Sequence, residues 1–321
     1  MIEVSGLTKS YGQHLAIQNL TFTINKGEVV GFLGPNGAGK STTMKIITGY
    51  MAPTSGEAKV CGFDVFENPI EVKKRIGYLP ETPPVYLDMY VKDYLQYVAE
   101  LKGVEKNKIK ANIDRALEKT NLQDVRSRMI GNLSKGFRQR VGIAQALVSD
   151  PDVLILDEPT VGLDPKQVAE IRELIKELRG QHTIILSTHI LPEVQAVCER
   201  IIIINKGHIV AQDSLSNLSR LKTGGRKVNL RLKRSSPDVM GILSHVAGVS
   251  KVHTGVSQQD WVLDTTENDE VIEAVAQEVM KKGLGLLEIS SAKADLEDVF
   301  LKLTYGESES KIEPKVEVTH G

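Results

Sequence analysis

The glycine-rich stretch GPNGAGKSTT, residues 34 to 43, carries the residue types that hold phosphate. Its spacing, Gly-x-x-x-x-Gly-Lys-Ser, is a complete P-loop pattern, and it follows the apolar run EVVGFL, which predicts a buried strand. Glycine lets backbone N–H groups turn toward phosphate oxygens without an obstructing side chain. The glycines concerned are Gly34, Gly37 and Gly39. Because Lys40 can reach the terminal phosphates and Ser41 can offer a hydroxyl to Mg²⁺, we predict that this stretch binds a nucleoside triphosphate.

Two adjacent carboxylates follow a second apolar run, VLIL, in the stretch VLILDEP. The run predicts a buried strand that ends in Asp157 and Glu158. Beside a P-loop, Asp157 is suited to Mg²⁺, directly or through water, and Glu158 to polarising the water that attacks the γ-phosphate. Taken alone, the same residues fit a strand followed by a capped turn, because Asp, Pro and Gly all favour turns. The complete P-loop favours the hydrolytic interpretation.

A second anion site is predicted in LSKGFRQRVGIAQAL, residues 133 to 147. Ser134 stands where an N-cap would be, and apolar residues follow at helical spacing, so a helix begins with Ser134 and Gly136 at its positive end. In isolation this pattern fits a capped amphipathic helix with no ligand. A chain with one P-loop needs no second γ-phosphate site for its own nucleotide, which indicates that this site serves the nucleotide of another subunit.

The elements that must position these residues alternate between strands and helices. Strand-like runs in 1–80 and 150–217 predict a P-loop α/β core; they are TFTI, VVGFL, VLIL, TIIL and IIII. The intervening region, about 85–149, is predicted to be mostly helical. Four tyrosines in it are predicted to share one helical face, first as packing residues and alternatively as a docking surface. They are Tyr86, Tyr90, Tyr94 and Tyr97.

A smaller module is predicted after the core. A linker is expected at 218–226, and 227–305 shows the order β-α-β-β-α-β with a final helix, which predicts a small α+β, ferredoxin-like accessory domain. The basic residues of RKVNLRLKR fit a solvated strand face, with contact to phosphate, lipid or RNA as the alternative. The charged segment 306–321 is predicted to be disordered.

Composition limits the classes of function. The chain has 321 residues, 41% of them hydrophobic and 25% charged, as expected of a globular chain with about two domains. A formal net charge of −1 argues against a surface built as a whole to bind nucleic acid. The two cysteines fit reduced thiols, and the longest apolar runs are far shorter than the roughly 18 residues of a membrane span. A membrane role would therefore need a partner.

Five motifs occur in an order that resembles the ATP-binding subunits of ABC transporters, over residues 1 to about 217. GPNGAGKST resembles the Walker A motif of that family, and VLILDEP resembles its Walker B motif. LSKGFRQR is similar to its signature motif, with Lys135 where glycine is commoner. GLDP at 162–165 resembles the D-loop, and STH at 187–189 resembles the switch region that ends in His189.

The resemblance implies roles for further residues. His189 would be the switch histidine, and Tyr11 in KSYG would stack on adenine, although by itself Tyr11 fits a packing residue at a strand end. Other Walker A positions would join the nucleotide contacts: Asn36, Ala38 and Thr42. Glu81, in RIGYLPETPP, stands where the family commonly has Gln. Its carboxylate still offers an oxygen to Mg²⁺ or to the attacking water, and Glu occurs there in the type-2 exporter and gliding-motility-associated branch, which the chain also resembles.

The resemblance further implies ATP and Mg²⁺ as cofactors and a membrane-spanning permease as partner, docked near the helical region after Glu81 on the cytoplasmic face of the cell's inner membrane. No internal repeat is evident, so the second ATPase half is expected from another chain, as a homodimer or a paired subunit, and no nucleic acid partner is expected. Two alternatives belong to other classes. One is a soluble ABC ATPase acting on DNA or ribosomes, which typically carries coiled-coil insertions or two fused halves. The other is a module that closes on ATP without turnover, which the presence of Glu158 and His189 disfavours.

Overall fold

The computed structural model describes residues 1–220, 226–234, 238–255, 257–266, 270–292 and 296–305. The chain divides into two compact units, Met1–Leu215 and Ser216–Gly321. Among the described residues, no helix is both long and apolar enough to cross a membrane.

The first unit contains two sheets. Its strands are β1 (Ile2–Tyr11), β2 (His14–Ile24), β3 (Val29–Leu33), β4 (Ser55–Val60), β5 (Phe63–Asp64), β6 (Ile76–Leu79), β7 (Val153–Asp157), β8 (Thr183–Thr188), β9 (Arg200–Asn205) and β10 (His208–Ser214). One sheet has the order β2-β1-β4-β5 and is antiparallel. The other has the order β10-β9-β3-β8-β7-β6; its strands are parallel except for β10 at the edge.

Helices connect these strands. They are α1 (Lys40–Ile47), α2 (Pro69–Arg75), α3 (Val91–Leu101), α4 (Lys106–Lys119), α5 (Lys135–Leu147), α6 (Pro165–Leu178) and α7 (Leu191–Val197), with 3-10 turns at Gln123–Val125 and Ile130–Asn132. The helix α8 (Leu215–Arg220) begins at the last residue of the first unit.

The six-stranded sheet places the predicted site residues at one edge. Every residue of β3, β7 and β8 is buried, as expected for parallel strands covered on both faces. In the register, Leu33 lies opposite Thr188, and Asp157 lies opposite Ser187. The three strands therefore end at the same level, and the P-loop and the two carboxylates leave the sheet side by side. The predicted P-loop α/β core is confirmed.

The region between β6 and β7 is helical, as predicted, but the tyrosine stripe is not a single helical face. The helix α3 begins only at Val91, because Tyr90 is extended (φ −75°, ψ 148°) and forms a bridge with Met129. Tyr86 and Tyr90 therefore precede the helix. Within the stripe, Tyr94 is a core residue, whereas Tyr86 lies half exposed with its ring edge-on to Tyr94 and to Tyr97.

The second unit follows the predicted order. Its elements are β11 (Arg226–Leu232), α9 (Val239–Ser244), β12 (Val249–Thr254), β13 (Asp260–Thr265), α10 (Glu270–Lys281), β14 (Leu286–Ala292) and α11 (Leu296–Tyr305). The antiparallel sheet has the order β12-β13-β11-β14, which is the strand order of a ferredoxin-like fold. Alternate residues of β11, such as Val228 and Leu230, are buried in its core.

The other face of this sheet carries paired polar side chains. Arg231 Nε lies 2.7 Å from Asp260 Oδ1, and His253 Nε2 lies 2.8 Å from Asp264 Oδ2. Arg231 thus has an acidic neighbour within its own sheet, which fits the solvated strand face expected for RKVNLRLKR.

The predicted linker, 218–226, overlaps an element at each end: 218–220 belong to α8, and Arg226 begins β11. Residues 221–225 and the predicted disordered tail at 306–321 lie outside the described residues.

Candidate active site

The P-loop joins β3 to α1 in a conformation that glycine permits. Gly39 has a φ of 110°, and a side chain at Gly34 would overlap the carbonyl oxygen of Ile204. The helix α1 begins at Lys40 with no side chain capping its first turn. Its free N–H groups and positive end therefore face the loop, which is the arrangement that binds an anion.

Lys40 is held in place by backbone and by one carboxylate. Its Nζ donates to the carbonyl oxygens of Gly34 at 2.8 Å and Pro35 at 3.3 Å. It also lies 3.4 Å from Glu158 Oε1, and the two side chains are only 6% and 7% exposed. The P-loop cation and the Walker B carboxylate therefore form a buried ion pair.

Glu158 occupies a strained backbone position directly after β7. Its φ of 50° is left-handed, a conformation that costs a residue with a side chain about 1–2 kcal/mol. Its N–H donates to the Ser187 carbonyl oxygen at 2.8 Å, which continues the pairing with β8 by one residue. The turn aims the carboxylate toward the P-loop instead of along the strand.

His189 contacts the same carboxylate. Its Nδ1 lies 3.0 Å from both Oε1 and Oε2 of Glu158. Because an ionised carboxylate only accepts hydrogen bonds, Nδ1 carries the proton in this arrangement. Glu158 thus lies between Lys40 and His189, within reach of both.

Asp157, the last residue of β7, lies deeper. Its Oδ1 accepts a 2.7 Å hydrogen bond from the Ser187 hydroxyl. Burial raises the pKa of the Asp157 carboxyl above its usual value, while hydrogen bonds from Ser187 and Ser41 act in the opposite direction. Ser41 and Asp157 together provide a hydroxyl and a carboxylate oxygen, the type of ligand that a hard cation prefers.

These elements surround a cleft of about 520 Å³. The predicted site residues that line it are Tyr11, Asn36, Gly37, Gly39, Lys40, Ser41, Thr42, Glu81, Glu158 and His189. Gly34, Ala38 and Asp157 are buried next to it. Tyr11 is 47% exposed, and its hydroxyl contacts Met51 Sδ at 3.1 Å. The Lys9 ammonium lies over one face of the ring, 5.6 Å from its centroid, so a flat partner would use the opposite face.

Glu81 follows the end of β6 by two residues. Its side chain is exposed and lines the cleft. Because β6 lies beside β7 in the sheet, Glu81 leaves the sheet near the two carboxylates and leads into the helical region.

Ser134 and Gly136 are not among the residues that line the cleft. Ser134 caps α5 as predicted, since its Oγ accepts from the Phe137 N–H at 3.4 Å. A side chain at Gly136 would overlap the amide of Gln167, and one at Gly162 would overlap Lys135 Nζ. The signature segment therefore lies against the D-loop and the start of α6 of its own chain.

Sequence reasoning missed several residues of the site. His14 lines the cleft beside Tyr11 because the β1–β2 hairpin pairs the two positions, and the turn sequence YGQH is the signal that could have indicated it. Ala16 and Val161 also line the cleft. The contacts of Lys135 and Gln167 depend on α5 and α6 meeting in space, which no local pattern indicates.

The chain is similar to known ATP-binding subunits. Residues 17–161 match the ABC transporter family. The ABC transporter ATP-binding protein NatA of Bacillus subtilis (strain 168) is 44% identical over 206 residues, which are 63% of this chain and 83% of NatA. The bacitracin transport ATP-binding protein BcrA of Bacillus licheniformis is 32% identical over 315 residues, 95% of this chain and 98% of BcrA.

Solved structures agree with these relatives. An ATP-binding subunit of an ABC transporter shares 31% identity at a TM-score of 0.64, covering 68% of this chain and 92% of that one. A dimeric ATP-binding cassette in a post-hydrolysis state, bound to ADP and phosphate, shares 26% identity at a TM-score of 0.62, covering 67% of this chain and 99% of that one.

The chain therefore belongs to the ATP-binding proteins of ABC transporters. It is an ATP-binding and ATP-hydrolysing subunit that powers transport through a separate membrane-spanning partner. The resemblance predicted from five motifs, including the type-2 exporter-like branch, is confirmed. The alternative of a DNA- or ribosome-directed ATPase is disfavoured, because these relatives are transporter subunits.

Proposed function

We propose that Mg²⁺–ATP binds in the cleft with its phosphates on the P-loop and its adenine against Tyr11. The uncapped N-terminus of α1 and Lys40 would hold the phosphates. Ser41 and Asp157 would hold Mg²⁺, which neutralises the charge that develops on the phosphates during transfer. Among the described residues no group of three or more His, Cys, Asp or Glu is arranged to hold a metal. A site of two protein oxygens completed by phosphates and water is the usual form for Mg²⁺.

Glu158 would orient the attacking water and accept its proton. Its carboxylate faces the P-loop, and it is the group to which both Lys40 and His189 point. On ATP binding Lys40 would exchange this carboxylate for the terminal phosphates, which releases Glu158 toward the water. His189 would keep Glu158 oriented, and Glu81 would offer an oxygen to Mg²⁺ or to the water.

The opposite side of the nucleotide would come from Ser134 and Gly136 of the second chain in the dimer. Both residues stand at the N-terminus of α5, a 13-residue helix whose positive end favours an anion. Ser134 is exposed, and neither residue borders the cleft of its own chain. A γ-phosphate presented by a partner would approach α5 from the exposed side of Ser134.

The membrane partner would dock on the helical subdomain beyond Glu81, at the cytoplasmic face of the inner membrane. The supporting observation is a group of half-exposed apolar side chains between Glu81 and the end of α3: Tyr86, Leu87, Tyr90 and Tyr97. Apolar and aromatic residues of this kind are enriched in interface cores. The ATP-binding domain proposed for residues 1–217 would carry both surfaces, with 227–305 as an accessory domain.

The buried contact between Lys40 and Glu158 carries the proposal, because it joins the phosphate-binding and the hydrolytic halves of one site. Glu158→Gln should bind ATP without releasing phosphate and should accumulate as a dimer when ATP and Mg²⁺ are added, measured by mass in solution. Lys40→Ala is the matched control and should stay monomeric with ATP. A Glu158→Gln chain that forms no ATP-dependent dimer would speak against the proposal.

A further inference from the structure

A buried carboxylate lies beside the site without belonging to it. Glu193, on α7, is only 2% exposed. Its Oε1 accepts a short hydrogen bond from the Thr160 hydroxyl, and its Oε2 accepts one from the Thr188 hydroxyl at 3.0 Å. Burying a carboxylate costs free energy unless it is hydrogen-bonded. The hydrogen bonds from the two threonine hydroxyls offset this cost for Glu193.

The two hydroxyl groups belong to the two turns that carry the proposed hydrolytic residues. Thr160 begins the turn that follows Glu158; its carbonyl oxygen accepts from the Leu163 N–H at 3.1 Å, toward the D-loop. Thr188 directly precedes His189 and ends β8. Glu193 is therefore hydrogen-bonded to both turns at once.

Thr188 also touches Glu158 itself. Its Oγ1 lies 3.3 Å from Glu158 Oε2 and accepts from the Ile190 N–H at 3.1 Å. The Thr188 hydroxyl has one hydrogen and can donate it to one carboxylate. Because Thr188 Oγ1 lies closer to Glu193 Oε2 than to Glu158 Oε2, we assign the hydrogen bond to Glu193. The orientation of Thr188 beside the Glu158 carboxylate is thus set by Glu193.

We infer that Glu193 is a positioning residue for hydrolysis: it holds the turn after Glu158 and the turn before His189 in a fixed relation. The inference rests on the proposed roles of Glu158 and His189. Glu158 has a left-handed backbone with a φ of 50°, which persists only where the surroundings determine it. The bridge from Thr160 through Glu193 to Thr188 provides such surroundings on both sides of the residue.

The strands themselves do not depend on this bridge. β7 and β8 are paired along their length, and the Glu158 N–H continues that pairing to Ser187. Glu193 acts beyond the sheet, where the chain has turned away from the strand. Its loss should therefore reduce turnover while leaving nucleotide binding by the P-loop nearly intact.

Thr160 offers a matched pair of variants. Thr160→Val removes the hydroxyl at nearly constant volume, and Thr160→Ser retains it. We expect the kcat of ATP hydrolysis to fall at least ~3-fold in Thr160→Val, with KM within about twofold of wild type, and to be largely retained in Thr160→Ser. Glu193→Gln, which keeps one acceptor oxygen, should lower kcat about tenfold.

Two further measurements separate positioning from a general loss of stability. Glu28→Gln removes another partly buried carboxylate, which is bonded to Arg200 at the opposite end of β3 from the P-loop, and should lower Tm without changing kcat. In a Glu158→Gln background, Glu193→Gln should cause no further fall in the residual rate, since it acts through Glu158.

The outcomes distinguish this inference from the proposed function. If Glu158→Gln abolishes turnover but Thr160→Val, Thr160→Ser and Glu193→Gln all match wild type, the positioning role is wrong and the proposed function stands. If Glu158→Gln itself turns over normally, the proposed roles fail first. Should Glu193→Gln not fold, the comparison of Thr160→Val with Thr160→Ser decides: equal rates would overturn the inference.

Discussion

The Glu158 carboxylate should compete with the phosphates of ATP for Lys40, the P-loop lysine. The charged atoms are 3.4 Å apart in side chains that are 6% and 7% exposed. Coulomb attraction at this separation is about 5 kcal/mol at an effective dielectric constant of about 20. Desolvation of two buried charges offsets most of it, which leaves a net contribution on the order of 1 kcal/mol.

Glu158→Gln removes this competition and also removes a negative charge that would face the phosphates. Both effects strengthen the binding of ATP, so we expect the Kd for Mg²⁺–ATP to fall about five- to tenfold. Turnover should fall at least ~100-fold, because the variant has lost the carboxylate that orients the water and accepts its proton. Affinity and turnover should thus change in opposite directions.

Isothermal titration calorimetry with Mg²⁺–ATP and a phosphate-release assay measure the two quantities on the same purified chain. Glu28→Gln is the control, because it deletes a carboxylate bonded to Arg200 at 2.6 Å and remote from the P-loop, and it should leave Kd unchanged. An unchanged or weaker Kd in Glu158→Gln would refute the competition. Turnover near that of wild type would remove Glu158 from the hydrolytic role.

Three further predictions concern other parts of the chain. Glu81→Gln should retain most ATPase activity, since it keeps an oxygen. Glu81→Ala should lose more than about tenfold in rate, which is about 1.4 kcal/mol of barrier. Equal steady-state rates in wild type and both variants, with the membrane partner present, would mean that Glu81 is a loop residue with no role in hydrolysis. Burial acts to raise the pKa of Glu28, but hydrogen bonds from Arg200 and from the Asn25 N–H outweigh it and the pKa is lowered. The difference in unfolding free energy between wild type and Glu28→Gln should therefore be present above about pH 4.3 and shrink as the pH falls below it, in urea titrations; a difference that grows toward acid would contradict this. Tyr86→Asp should reduce the fraction of the chain that sediments with membranes containing its partner, whereas Met280→Asp, a similarly exposed site on α10, should not.

The parts of the site that could be predicted from the sequence are those that short segments encode. The P-loop requires glycine and lysine at fixed spacing, and β7 requires an apolar run that ends in carboxylates, so Lys40 and Glu158 were both found although they are far apart in sequence. The cap of α5 by Ser134 was likewise visible, because an N-cap is a local pattern.

The parts that could not be predicted depend on where segments meet. The tyrosine stripe has helical spacing, but the bridge between Tyr90 and Met129 keeps the chain extended until Val91. Glu193 resembles an ordinary acidic residue in the first turn of a helix, and only the packing of α7 against β8 buries it between two threonines. Competing tertiary contacts, absent from any local window, decide such positions.

The sharing of one ATP between two chains is tested most directly by mixing two inactive variants. Lys40→Ala disables the P-loop, and Ser134→Asp keeps an N-cap of equal quality on α5 while placing a negative charge where the γ-phosphate should bind. Ser134→Asn, which caps the helix without charge, is the control for folding and should be far more active than Ser134→Asp.

Each inactive variant alone should hydrolyse almost no ATP. Each mixed dimer has one of its two sites with both elements intact, so turnover should recover in an equal mixture, up to about half of the wild-type rate per mixed dimer if the sites act independently. ATPase rates of the separate and mixed samples, together with the mass of the mixed dimer in ATP, constitute the measurement. Recovery in the mixture is the predicted result; normal turnover by Ser134→Asp alone, or a mixture that neither recovers activity nor forms an ATP-dependent dimer, would contradict it.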